Sequence, residues 1–111
     1  MNFIEELEAL LAGEESMFRA QLLREDVARL RHLIELADEH DDRDEFRKAG
    51  AHIGWTNGDM RTHELMDHLI PLLDALYDWR RGDPALVSDH ALRAAWDGFH
   101  VERIRVLLHC L

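Results

Sequence analysis

Between residues 17 and 37, apolar side chains recur in steps of three and four: Met17, Ala20, Leu23, Val27, Leu30, Ile34 and Ala37, with no glycine or proline among them. Steps of that size keep successive residues on one side of a 3.6-residue helix, whereas a strand would scatter them over both faces. A stripe of about six turns has to be covered by other apolar surface, so the chain is committed to packing helices together. The predicted helix runs from Glu14 to about Glu39, with Ser16 at its start as a cap. Glu15–Arg19 and Glu25–Arg29 are pairs four residues apart that lie off the stripe in the favourable order.

The remaining segments read the same way. Asn2 and Glu5 form an N-x-x-E opening for a short helix carrying Phe3, Ile4, Leu7, Leu10 and Leu11, with Gly13 as a left-handed stop. His40 to Glu45 is a charged junction, and Phe46 to Gly50 has room for a turn or two of helix. Ala51 to Asp59 reads as loop, marked by the turn dipeptide Asn57-Gly58. Asp59 is the expected cap of a helix to about Arg81, along which Leu65, Leu69, Leu72, Leu76 and Trp79 form a stripe flanked by Met66, Ile70, Leu73 and Tyr77. Pro71 should kink or split it, because proline brings no N–H and crowds the preceding turn. Arg80-Arg81-Gly82-Asp83-Pro84 is a favourable exit, with cations against the helix dipole and glycine at the stop. A last helix starts near Ser88 or Asp89 and runs to the C-terminus, burying Leu92, Ala95, Trp96, Phe99, Ile104, Leu107, Leu108 and Leu111, with Gly98 as a close-packing point or a bend.

Valine and threonine are scarce and period-two alternation is nowhere sustained, so strands are not expected. The expected fold is all-α, a compact bundle of four main helices plus one short helix, in a single domain over residues 1–111. A chain of 111 residues has enough apolar surface for one core and not for two. The single cysteine, Cys110, has no internal partner, so the fold owes nothing to a disulfide.

Charge narrows the function. Twenty-three acidic side chains against 13 basic ones give a formal net charge of −10. Phosphate backbones and anionic headgroups repel such a chain, which argues against direct nucleic-acid or membrane binding, whereas a basic protein would be drawn to it. The excess leans forward: residues 1–55 carry 14 acidic and 7 basic side chains, residues 56–111 carry 9 and 6. Met1 to Glu6 lacks a cationic start and a long apolar run, so the cytoplasm is the expected location.

Catalytic and metal chemistry find little support. His63 and His68 are five residues apart, about 500° around a helix, which is the wrong spacing for a shared zinc face. Four-residue spacings do align His63 with Asp67 and Glu64 with His68, and Asp97 with His100 adds a carboxylate–imidazole pair. These residues are the basis of an alternative reading as a metal- or small-ligand-binding bundle. Carboxylate-bridged sites, however, need a Glu-x-x-His on each of two helices, and only one approximate copy is present. Ser16 and Ser88 are explained as caps, Cys110 stands beside His109 without facing it, and no glycine-rich phosphate loop occurs. No catalytic residue, metal ligand or cofactor is therefore assigned, and no enzyme activity is expected.

What remains is the acidic run Asp38, Glu39, Asp41, Asp42, Asp44 and Glu45, and Trp55 in the glycine-containing loop. The run reads either as a solvated helix junction or as a negative surface for a partner, and Trp55 either as a plug or as an exposed anchor. Taken together they suggest a protein-binding module whose partner is a larger protein with a basic surface. By analogy of class alone, small acidic helical proteins without catalytic motifs recur among phage anti-defence inhibitors, antitoxins and immunity proteins, which act by occluding a target that handles nucleic acid. Homodimer formation through the long helix is a third reading.

Overall fold

The structure, a computed structural model, describes residues 3–51, 62–82 and 89–110. Five helices follow one another: α1 (Phe3–Gly13), α2 (Met17–Glu39), α3 (Arg43–Gly50), α4 (Thr62–Arg81) and α5 (Asp89–Cys110). No strand occurs among the described residues, so the all-α bundle expected from the sequence is the observed fold. The expected cap residues Asn2, Asp59 and Ser88, the turn at Asn57-Gly58 and Trp55 lie outside the described residues.

α4 is the hub. α2, α3 and α5 pack on it, and α1 closes the bundle by lying against α2 and α5. Leu69, Leu72, Leu73, Leu76 and Tyr77 are buried among its described side chains, spaced so that they form one broad face. Around them lie Val27, Leu30, Leu33 and Ala37 of α2, Phe46 of α3, Leu92, Trp96 and Phe99 of α5, and Phe3, Ile4 and Leu7 of α1. Each fully buried leucine or phenylalanine contributes about 1.5–3 kcal/mol of transfer free energy. Phe3 meets the edge of Trp96 at 6.1 Å between ring centroids, which locks α1 to α5.

Local signals explain the helix ends. Ser16 Oγ accepts the N–H of Arg19 at 3.4 Å, and Asp42 Oδ1 accepts the N–H of Asp44 at 2.9 Å, so each caps the helix that follows it. The first helical residue of α2 is Met17, which leaves Glu15 outside the helix; Glu25–Arg29 does pair, at 3.9 Å. Gly13 does not adopt left-handed backbone. The turn is closed instead by the N–H of Glu14 on the carbonyl of Leu11 at 3.2 Å, a tightened last turn that any residue tolerates.

Three expectations are corrected by packing. Pro71 does not split α4: the helix runs on from Thr62 to Arg81 with Pro71 on its exposed side. Met17 is 89% exposed and Ile104 is 39% exposed, although both were placed on buried stripes. The buried face of α2 keeps Val27, Leu30 and Ala37 of the expected stripe and adds Asp26 and Leu33, so a carboxylate occupies one of its core positions.

The glycine at the end of α3 and the one within α5 differ. A Cβ on Gly50 would come within 2.8 Å of Leu73 Cδ2 and 3.2 Å of Leu33 Cδ2, so glycine lets α3 sit down on α2 and α4. At Gly98, in the middle of α5, a Cβ would meet nothing within 4 Å. Among the described residues no close packing accounts for Gly98, nor does a positive φ, and it costs α5 about 1 kcal/mol relative to alanine.

Candidate functional site

Five of the six acidic residues predicted to form a partner surface are engaged within the chain, at the end of the bundle where α2, α3 and the last turns of α4 meet. Arg80 donates through Nε and Nη2 to the two oxygens of Asp38, both at 2.8 Å, and that hydrogen bonding holds the Asp38 carboxyl below the usual carboxylate range. Arg81 donates to the carbonyl of Ala37 at 2.9 Å and to Asp41 Oδ1 at 2.6 Å, so it closes the C-terminal end of α2. The cations at the exit of α4 therefore serve the neighbouring helix as well as their own dipole. Asp42 is the α3 cap, Asp44 lies 3.4 Å from Arg47 Nη1, and Glu45 lies 3.4 Å from Lys48 Nζ. Glu39 is exposed on the outer side of α2, four residues beyond the equally exposed Glu35.

Beneath this rim, α3 is clamped to α4 by a ladder of alternating charge. Arg47 donates through Nε and Nη2 to Asp74 at 2.7 and 2.8 Å, and the pairing depresses the Asp74 carboxyl and raises Arg47. Arg43 reaches Asp78 and, at 3.4 Å, the carbonyl of Asp74. The Arg43 and Arg81 guanidiniums lie over the Tyr77 ring, 5.1 and 5.7 Å from its centroid, and its hydroxyl donates to the carbonyl of His40 at 3.0 Å. These contacts fix the positions of the carboxylates without neutralising the end. Glu35, Asp38, Glu39, Asp41, Asp42, Asp44, Glu45, Asp74 and Asp78 outnumber Arg43, Arg47, Lys48, Arg80 and Arg81 by four. Exposed ion pairs are worth about 0–1 kcal/mol, so the carboxylates stay available to an incoming cation.

The histidine readings resolve differently. The side chains of His63 and Glu64 lie outside the described residues. His68 Nε2 lies 3.7 Å from Glu102, which also takes Arg105. His100 stacks on Trp96 with 5.6 Å between ring centroids, and its Nδ1 accepts from Arg103 Nη2 at 2.8 Å. Burial and the adjacent Arg103 charge push its imidazole below the ordinary value. Among the described residues no three histidine, cysteine or carboxylate side chains converge as a metal site.

Two features were not anticipated from the sequence. Asp26, 1% exposed, receives Arg103, 3% exposed, in a bidentate pair with Nη2–Oδ2 at 2.9 Å, and the guanidinium lies 5.8 Å from the centroids of both Trp96 and Phe99. A carboxylate four residues before Leu30 and seven before Leu33 was the available signal, since only a buried cation makes that position tolerable. The other feature is apolar. Leu10, Met17 and Phe18 are 63%, 89% and 77% exposed at the α1–α2 corner, at the opposite end of α2 from the acidic rim.

No family model, curated protein or solved structure matches this chain. Its own geometry therefore carries the functional argument. A half-open groove of about 270 Å³ runs between α1, α2 and the end of α4, floored by Ile4, Ile34 and Trp79. The polar groups at its rim are spent on one another: Arg31 on Glu8, Arg80 on Asp38, while the Trp79 indole N–H donates to Asp89 at 2.6 Å. Among the described residues, such a groove has an apolar floor and paired charges at its rim. No described helix is long and apolar enough to cross a membrane.

Proposed function

We propose that this chain is a non-catalytic binding domain that occludes a basic surface on a larger protein, in the manner of an inhibitor or antagonist. The observation that carries the reading is the charge excess at the α2–α3–α4 end, where nine carboxylates surround five cations and seven of the nine are held by contacts within the chain. Rigid, partly satisfied carboxylates present a fixed negative pattern, and a partner's lysines and arginines can join them without first ordering the surface. A basic partner of this kind is typically a protein that handles nucleic acid, whose phosphate groove the acidic rim would fill. The phage anti-defence, antitoxin and immunity-protein classes work this way, and the assignment to that kind of role is by class alone.

The ion pairs decide how the reading is best tested. Reversing Asp41, Asp42 and Asp44 together would also free Arg81, remove the α3 cap and release Arg47, so it confounds binding with folding. Glu35 and Glu39 share the exposed outer face of α2, away from the α3 cap and the α3–α4 ladder. Glu35→Lys with Glu39→Lys should slow association with a basic partner captured from lysate about tenfold or more, steeply dependent on salt, while the melting temperature stays within a few degrees. An unchanged association rate, or binding of the isolated chain to DNA or RNA at physiological salt, refutes the acidic-surface reading.

A further inference from the structure

The groove between α1, α2 and the end of α4 borders the acidic rim, and the Arg80–Asp38 pair belongs to both. Its floor is apolar, with Ile34 and Trp79 only half-buried beside the buried Ile4. Its walls are tied to one another. Arg31 of α2 pairs with Glu8 of α1, and Arg80 of α4 holds both oxygens of Asp38 of α2 at 2.8 Å. The Trp79 indole N–H donates to Asp89 at the start of α5, which holds the ring in place. A receptor whose walls and floor are already fixed loses little freedom when something enters it.

Size and charge say what can enter. A volume of about 270 Å³ falls below the roughly 300–1,000 Å³ of pockets that enclose a cofactor-sized molecule, and this groove is half-open, so it has room for a side chain. Both arginines in its lining already have carboxylate partners, which an incoming carboxylate or phosphate would have to displace. The floor favours an apolar group instead. Around that floor the charge is negative: Glu5, Glu8, Asp38 and Asp89 line the groove or bond to a lining residue, against Arg31 and Arg80. Exposed Glu35, one turn from Arg31, and exposed Glu39, beside Asp38, carry the same sign on into the rim. A second copy of the chain, at a net charge of −10, would bring like charge to this flank, as would an anionic lipid surface or a nucleic acid. A segment rich in lysine and arginine meets opposite charge there.

We infer, on the basis of the acidic-surface reading above, that this groove seats one aromatic side chain carried on a basic segment of the partner protein. The ring rests on Ile4, Ile34 and Trp79, and the lysines and arginines on either side of it reach the carboxylates of α1 and of the α2–α4 end. Long-range charge then sets how fast the partner arrives, and the seated ring sets how long it stays. An aromatic anchor in a desolvated pocket, ringed by polar contacts that exclude water, is the common form of a binding hot spot.

NMR titration of the full chain, with its isoleucine methyl groups labelled, tests this at low ionic strength. The probes are the capped peptide Lys-Arg-Gly-Phe-Gly-Arg-Lys, the same peptide with glycine in place of phenylalanine, and the acidic counterpart Glu-Asp-Gly-Phe-Gly-Asp-Glu. The basic phenylalanine peptide should bind about tenfold more tightly than the glycine peptide. It should move the methyl resonances of Ile4 and Ile34 and leave those of Ile70 and Ile104, exposed on α4 and α5, in place. Ile34→Ala should narrow the margin between the two basic peptides without changing the affinity of the glycine one. Glu35→Lys with Glu39→Lys should weaken both basic peptides alike. Equal affinity for the two basic peptides overturns the groove as the anchor point and leaves the acidic surface standing. So does a phenylalanine peptide that moves Ile70 or Ile104 and not Ile4 and Ile34. Binding of neither basic peptide, or of the acidic one as tightly as the basic one, overturns this inference together with the reading beneath it.

Discussion

Replacing Asp26 with asparagine should unfold this domain far more readily than any surface change, because it leaves Arg103 charged and buried. The carboxylate is 1% exposed and Arg103 is 3% exposed, and two guanidinium nitrogens bond its two oxygens. Asparagine keeps the shape and one acceptor oxygen but brings no charge. The guanidinium, 5.8 Å from the Trp96 and Phe99 ring centroids, then has a neutral amide oxygen and the His100 nitrogen where it had a carboxylate. Removing one partner of a buried pair costs about 3–5 kcal/mol, out of a total stability of about 5–15 kcal/mol for a domain of this size. With a urea slope of about 1.5 kcal/mol per molar, the unfolding midpoint should fall by about 2–3 M. Asp26→Leu combined with Arg103→Met should recover most of that loss. The apolar pair has no desolvation penalty, and it removes Arg103 Nε, which has no hydrogen-bond partner among the described residues. Equilibrium urea unfolding followed by circular dichroism and tryptophan fluorescence reports both numbers. A midpoint shift under about 0.5 M for Asp26→Asn, or a double variant as unstable as the single one, would refute the assignment of this pair as the charged element of the core.

Two further outcomes follow from the packing. His100 is held below its ordinary value of 6.5 by burial and by Arg103, so the unfolded chain takes up its proton first. The stability His100 contributes is present above about pH 6.5 and is lost as the pH falls from there toward its folded value; urea midpoints measured from pH 7.5 to 5 should therefore decline, and His100→Gln should flatten the decline. Gly50→Ala should lower stability by about 1–3 kcal/mol, because its Cβ runs into Leu73 and Leu33 in a filled core, whereas Gly98→Ala should raise monomer stability by about 0.5–1 kcal/mol; equal effects at the two sites would contradict the packing described here.

Periodicity and punctuation were sufficient for the architecture. The three- and four-residue steps of α2 and α4, the caps at Ser16 and Asp42 and the exit at Arg80-Arg81-Gly82 are local properties, written within a few residues of the structure they specify. The all-α class, the helix order and most of the core are therefore legible in the chain alone. The acidic run was legible as composition too, but its pairing was not. Asp38 and Arg80 are 42 residues apart and Asp26 and Arg103 are 77 apart, and nothing local says which of several carboxylates each arginine will meet. Tertiary structure also decided which side of each stripe was covered. Met17 and Val27 belong to one run of apolar residues, yet Val27 is covered by the bundle while Met17 extends past it into solvent. Amphipathicity tells a helix that it must bury a face, but only the lengths and crossings of its neighbours determine how far along that face the cover reaches.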